Sequence, residues 1–170
     1  MKTNQVYSNF EKTQYLKNKI FDAFLDGDYP MARAFVSVML NLAEVEKGEW
    51  NYSNLIHISH TYLGLIHLAE ENIEEAKKNL LKSINFKIGS PQLKSFGPNM
   101  MLAEQLLKVG EKEVVLEYLK KSGKIWYFIF SFYRLNKWRN QIRNNEIPDF
   151  GVNQNLHLMK QENLNLERRH

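Results

Sequence analysis

A chain of 170 residues without cysteine leaves five histidines and nineteen carboxylates as the side chains best suited to chemistry. Three of the histidines, His57, His60 and His67, fall in one stretch of helical periodicity. His57 and His60 are close enough in register to share a metal ion. His67 lies seven residues beyond His60, about 10 Å along the axis at ~1.5 Å per residue, so no single ion is held by both. His67 is expected to pair with Glu71, four residues on. The carboxylates Glu70, Glu71, Glu74 and Glu75 ride an exposed helix face, and nothing singles out a pair for proton transfer. An enzyme built on this chain would need a polar pocket around His57, Ser90, Gln92 and Asn99.

Two short motifs mislead. Asp149-Phe150-Gly151 matches the tripeptide that holds magnesium in protein kinases, but no glycine-rich strand loop, strand lysine or HRD segment accompanies it. It reads as a turn. Gly110-Glu111-Lys112 lacks the upstream glycine of a phosphate loop. The absence of cysteine removes disulfides, thiolate nucleophiles and Cys-based zinc sites together. No catalytic residue, cofactor or metal is therefore expected.

The composition bounds the rest. Apolar residues at 44% and charged residues at 25% describe a soluble globular domain, and a chain of this length buries one continuous core. The N-terminus lacks the apolar segment of a secretory signal. The longest apolar run, 125–130, is far short of the ~20 residues that cross a bilayer, so no membrane association is expected. A cytoplasmic location fits the missing cysteines. The sequon Asn51-Tyr52-Ser53 would matter only in a secreted protein. A net charge of +4 permits an anionic partner without requiring one.

Helical spacing of apolar residues runs through nearly the whole chain and period-two alternation is absent, so the fold class is all-α. Leu16, Ile20 and Phe24 mark a first helix over 10–25, broken by Gly27-Asp28. Asp28 caps a second helix over 31–45, with Pro30 in its first turn. A third spans 53–70, and Asn72 with Glu75 opens a fourth. Residues 89–99 form a loop rich in turn formers, Pro98 starts a fifth helix ending at Gly110, and a sixth covers 112–122. A seventh helix is expected over 124–144, beginning with the block Ile125-Trp126-Tyr127-Phe128-Ile129-Phe130. The last residues, 152–170, read as a polar tail, either a weak helix or disordered, beyond a helical domain of residues 1–151.

Superposing Gly27, Glu71 and Gly110 aligns three copies of one unit. Seven residues upstream stand Ile20, Gly64 and Ala103; five downstream stand Ala32, Ala76 and Val115; four further stand Val36, Leu80 and Leu119. Small residues at such columns let two helices of a hairpin approach closely, and a hairpin that cannot bury its apolar face alone stacks on its neighbours. Leu63-Gly64 with Ala76 and Leu80, Leu102-Ala103 with Tyr118-Leu119, and Gly27-Asp28-Tyr29 with Ala32 resemble the tetratricopeptide repeat. His60 and His67 stand at the repeat's usual aromatic positions. The run from Gly89-Ser90-Pro91 to Phe96-Gly97-Pro98-Asn99-Met100, with Ile147-Pro148-Asp149-Phe150-Gly151, is also similar to a group of uncharacterised bacterial repeat proteins.

The resemblance implies a short right-handed α-solenoid of about three hairpins closed by a C-terminal aromatic capping helix. It also implies a non-enzymatic scaffold or adaptor that binds a peptide or protein on the concave face made by the first helix of each pair. Carried over by position, that groove comprises Lys17, Phe21 and Phe24, then Thr61, Leu65 and Leu68, then Met100, Glu104 and Leu107. Lys17 is followed by Phe21 rather than Asn, so the carboxylate clamp of some members is not matched.

The aromatic helix has readings of its own. Trp126, Phe130, Tyr133 and Trp138, with Arg134 and Lys137, suit a cap, an interface for self-association through 125–138, or a partner contact. Stacked rings with cations also bind single-stranded nucleic acid, which is the alternative function and the weaker one. A helix apolar all round leaves one side wet if it only caps, and such a patch signals a partner or a folded-back tail.

Overall fold

The computed structural model describes residues 8–156 and 158, and among them every regular element is helical. The order is α1 (Asn9–Leu25), α2 (Tyr29–Val45), α3 (Tyr52–Ala69), α4 (Ile73–Lys82), α5 (Pro91–Phe96), α6 (Met101–Lys108), α7 (Lys112–Ser122) and α8 (Ser131–Arg143), then a 3-10 turn, Gly151–Gln154. No helix among these residues is long and apolar enough to cross a membrane.

Local chemistry sets the ends. Ser8 and Glu11 form a capping box at α1, Asp28 accepts from the Met31 N–H, and Asn72 accepts from the Glu75 N–H. The superposed positions Gly27, Glu71 and Gly110 all adopt left-handed backbone, with φ of 71°, 61° and 88°. After each, the next N–H reaches back five residues: Asp28 to Ala23, Asn72 to His67, Glu111 to Leu106. These are three Schellman closures of one kind, and α8 ends in a fourth through Asn145 and Glu146. The aligned core columns behave alike, since Ala32, Ala76, Val115, Val36, Leu80 and Leu119 are all buried.

The helices pair as α1 with α2, α3 with α4 and α6 with α7. Successive pairs meet through α1 on α3, α2 on α3, α3 on α6, and α4 on both α6 and α7, while α8 packs on α7. One apolar cluster runs from Leu16 through Tyr62, Met100 and Trp138 to Leu158. At Gly64 α3 receives the buried Leu102 side chain of α6, which a Cβ there would strike.

Three expectations are corrected. The loop over 89–99 contains a short helix, α5, with Ser90 accepting from the Leu93 N–H and Pro91 in the first turn. The seventh expected helix begins at Ser131, so residues 125–130 are not helical. β-branched and aromatic side chains lose rotamer freedom in a helix, and here a tertiary anchor at Trp126 outweighs the residual helical tendency. Finally, His67 meets Arg33 and Glu70 rather than Glu71, whose left-handed backbone ends the helix.

Candidate functional site

The residues expected to form a groove lie on contiguous elements. Lys17, Phe21 and Phe24 belong to α1, Thr61, Leu65 and Leu68 to α3, Glu104 and Leu107 to α6, and Met100 caps α6. Their exposure divides them. Thr61, Leu65 and Met100 are buried, whereas Lys17, Phe21, Phe24, Leu68, Glu104 and Leu107 are half-buried. Burial pushes the Lys17 ammonium below its ordinary pKa, because a charge is less stable away from water. The Thr61 hydroxyl is satisfied within its own helix, donating to the His57 carbonyl at 2.7 Å.

The chain's own C-terminal segment meets this row at Met100 and Glu104. After Phe150 the backbone turns through Gly151–Gln154, and Leu158 beyond it is buried. It is gripped by its main chain. The Asn99 amide donates to the carbonyls of Gln154 (2.9 Å) and Leu156 (2.7 Å), and the Tyr62 hydroxyl donates to that of Leu158 (3.0 Å). The Met100 N–H donates to the Asn153 carbonyl at 2.8 Å, and Gln154 bonds to Glu104 through side chains. Asn153, fully buried, donates to the carbonyls of Phe96 and Pro98 and accepts from Arg134. Burial, with Asp22 nearby, raises the Tyr62 phenol pKa far above the usual value, so it stays a donor. Residues 157 and 159–170 of the expected tail lie outside the described residues.

Of the polar group His57, Ser90, Gln92 and Asn99, His57 bonds Asn99, while Ser90 and Gln92 each bond Asn54. His57 Nδ1 lies 3.0 Å from the Ser83 carbonyl, and Nε2 accepts from the Asn99 N–H at 2.9 Å. These partners fix a neutral ring with the proton on Nδ1. Ser90 donates to Asn54 while its N–H reaches Ser53. Beside them a hollow of about 90 Å³ is lined by Thr13, Lys17, Asn54, His57 and Gln92. Asn51, first residue of the sequon, is buried and donates to Thr13 at 2.9 Å, so its amide holds α1 to α3. His60 bonds Asn79, and burial foremost lowers its pKa. Asp149 accepts from the Gly151 N–H across a turn, and Phe150 packs edge-on to Trp138 at 5.0 Å.

A second surface emerges around residues 125–138, the region assigned to an interface. Trp126 and Trp138 are buried, their rings 6.0 Å apart, with the Arg134 guanidinium over both. Phe130, Tyr133 and Lys137 are exposed. Trp126 acts as the anchor. Its indole lies so close over Gly97 that a Cβ there would come within 2.6 Å of the ring, and its Nε1–H donates to the Ser95 carbonyl. From that anchor Tyr127, Phe128, Ile129 and Phe130 project into solvent, followed by Phe132 and Tyr133 on α8.

The main-chain clasp by Tyr62, Asn99 and Asn153 was not visible in the sequence, where Asn153 and Leu158 read only as parts of a polar tail. Apart from Arg134, their partners outside the segment lie 53 to 96 residues away. The buried leucine was the one available signal. Comparison of the chain with protein-family models, curated proteins and solved structures finds no match.

Proposed function

We propose that this chain is a non-enzymatic interaction module, a right-handed stack of three tetratricopeptide-like hairpins capped by α8, whose trough along α1, α3 and α6 receives an extended peptide. The observation that carries the reading is the clasp on residues 153–158. Asn99, Tyr62 and the Met100 N–H hold backbone carbonyls rather than side chains, which is how a groove binds extended chain with little sequence demand. The cis segment holds the α3–α6 part of the trough, and a partner segment enters by displacing it. The half-buried Phe21, Phe24 and Leu68 extend the same row toward α1.

The nucleic-acid alternative draws less support. The two indoles best suited to stacking on bases are buried, and Arg134 and Arg139 are engaged with Asn153 and the Leu119 carbonyl.

The test supplies the segment in trans. A chain ending at residue 147 is mixed with a peptide of residues 148–158. Saturable binding with a change in Trp138 emission is expected, because Phe150 and the Asp149 carbonyl contact that indole. The full-length chain should ignore the peptide, since its tethered copy competes at a local concentration in the millimolar range. A shortened chain that keeps its helical circular dichroism yet fails to bind would refute the trough as a peptide site. Charge at Leu65 or Met100 is a poor probe, because both are buried and would unfold the chain.

A further inference from the structure

The surface around residues 127–133 combines two properties that occur together nowhere else on the described chain. The first is apolar exposure. Tyr127, Phe128, Ile129, Phe130, Phe132 and Tyr133 are between 49% and 85% exposed, Ile129 the most. The second is charge. Between Glu117 and Glu146 there is no acidic residue, and the span holds seven of the chain's 23 basic residues. The remaining sixteen basic residues face nineteen acidic ones, so outside this span the chain is net negative. The protein's whole positive excess sits beside its largest exposed group of aromatic rings.

The fold presents this surface stiffly. Trp126 is pinned over Gly97 and bonded to Ser95, and the Tyr127 N–H donates to the Lys94 carbonyl. At the far end Ser131 donates to the carbonyls of Phe128 and, through its hydroxyl, Trp126. Residues 127–130 are thus a short projection fastened at both ends. Cations flank it on two sides. Lys120 and Lys124 line one hollow with Phe132 and Arg139, and Lys137 and Arg134 line another with Phe130, Tyr133 and a single carboxylate, Asp149. All three lysines are exposed, and no carboxylate pairs with them among the described residues.

Three occupants compete, and charge and shape separate them. A second copy docked about a two-fold axis would set the same lysines against each other, and like charges facing across an interface cost affinity. Single-stranded nucleic acid satisfies the charge but stacks on rings, whereas the outermost side chain is the aliphatic Ile129 and both indoles are buried. An anionic bilayer satisfies both properties. Tyr and Phe settle at headgroup depth, an aliphatic tip reaches the acyl boundary, and lysines meet lipid phosphates.

We propose that residues 127–133 dock the protein on anionic phospholipid surfaces, with Ile129 and Phe130 entering the interface and Lys120, Lys124 and Lys137 on the headgroups. The attachment is peripheral and independent of the trough.

The full chain is tested by flotation with vesicles of phosphatidylcholine, alone or containing phosphatidylglycerol. Binding is expected only with the anionic lipid and should weaken with salt as screening shortens the reach of the lysines. Each cation near such a surface strengthens binding about fivefold, so Lys120→Glu, Lys124→Glu and Lys137→Glu together should lower affinity at least about a hundredfold. Ile129→Ser with Phe130→Ser should lower it at least about tenfold. These side chains are exposed, so the circular dichroism should not change. In a Phe130→Trp variant, anionic vesicles should shift the added emission to the blue. Equal binding to both vesicles, or wild-type binding by the lysine variant, overturns the proposal. Retention on polyuridylate without vesicle binding assigns the surface to nucleic acid instead. A dimer abolished by Ile129→Ser, again without vesicle binding, assigns it to a second copy.

Discussion

Asn99 uses every polar atom it owns. Its N–H goes to His57, its carbonyl accepts from Tyr118, its amide nitrogen holds two carbonyls of the C-terminal segment, and its side-chain oxygen accepts from the Met101 N–H. The isosteric change Asn99→Asp keeps the last bond and turns two donors into an acceptor facing two carbonyls. Its expected cost is about 3 kcal/mol in denaturant unfolding, from two lost bonds and a buried unpaired charge. Limited proteolysis should then cut within 150–158 before the helices. The histidines set a pH response at the same scale. Burial chiefly, with Lys82, lowers the His60 pKa below 6.5 against the opposing Asn79 bond, and burial with Arg33 lowers that of His67. The unfolded chain therefore binds more protons between the lowered folded values and 6.5, so stability falls as pH drops through that window. Unfolding free energy should be higher at about pH 7.5 than at about pH 5.5, and His60→Gln with His67→Gln should reduce the difference. An unchanged slope in that double variant would place the proton uptake elsewhere.

Among the elements, the three Schellman closures carry the repeat, and two of them end on glycine where the middle one holds Glu71 at φ 61°. A side chain with a Cβ pays about 1 kcal/mol for that conformation, so Glu71→Gly should stabilise the fold by about that amount. Gly97→Ala should do the reverse. It carries φ of 82° and would drive a Cβ into the Trp126 ring, and the two effects together should cost about 3 kcal/mol and release the aromatic projection. Thermal unfolding of both variants checks the pair. The same elements mark what the sequence could disclose. Asp28, Asn72 and the aligned columns act within one hairpin, so helix ends and the core of three pairs were readable from spacing alone. Residues 125–130 are a continuous apolar run without period, and what stops them from coiling is Gly97 and Ser95 some thirty residues earlier. Ser90-Pro91 is a cap followed by a first-turn proline, but the six-residue α5 it opens is too short to show helical periodicity. The residues expected for a groove fall on α1, α3 and α6, but the segment that meets α6 was hidden, since a buried asparagine such as Asn153 looks no different in sequence from a solvated one.

At the scale of the molecule, α3 is the member through which the rest is joined. It packs on α1, α2, α4 and α6, and eleven of its 18 residues are buried. α1 buries four of 17 and leans chiefly on α2 and α3. Local stability follows the contacts an element makes, so the pair packed on one neighbouring pair should open before the pair packed on two. Residues 150–158 alter the other end. By tying Tyr62 of α3 and Asn99 to the chain that follows α8, they give α6 and α7 a second closure that α1 and α2 lack among the described residues. The array should therefore fray from its N-terminal side. Native-state hydrogen exchange should find α1 amides exchanging at least about tenfold faster than those of α3, with α6 and α7 close to α3. In the Asn99→Asp variant α6 and α7 should lose that protection while α1 keeps its own rate. Equal exchange in α1 and α3 would mean that the hairpins unfold as one indivisible body, and the clasp would then be an ornament on the stack rather than its second anchor.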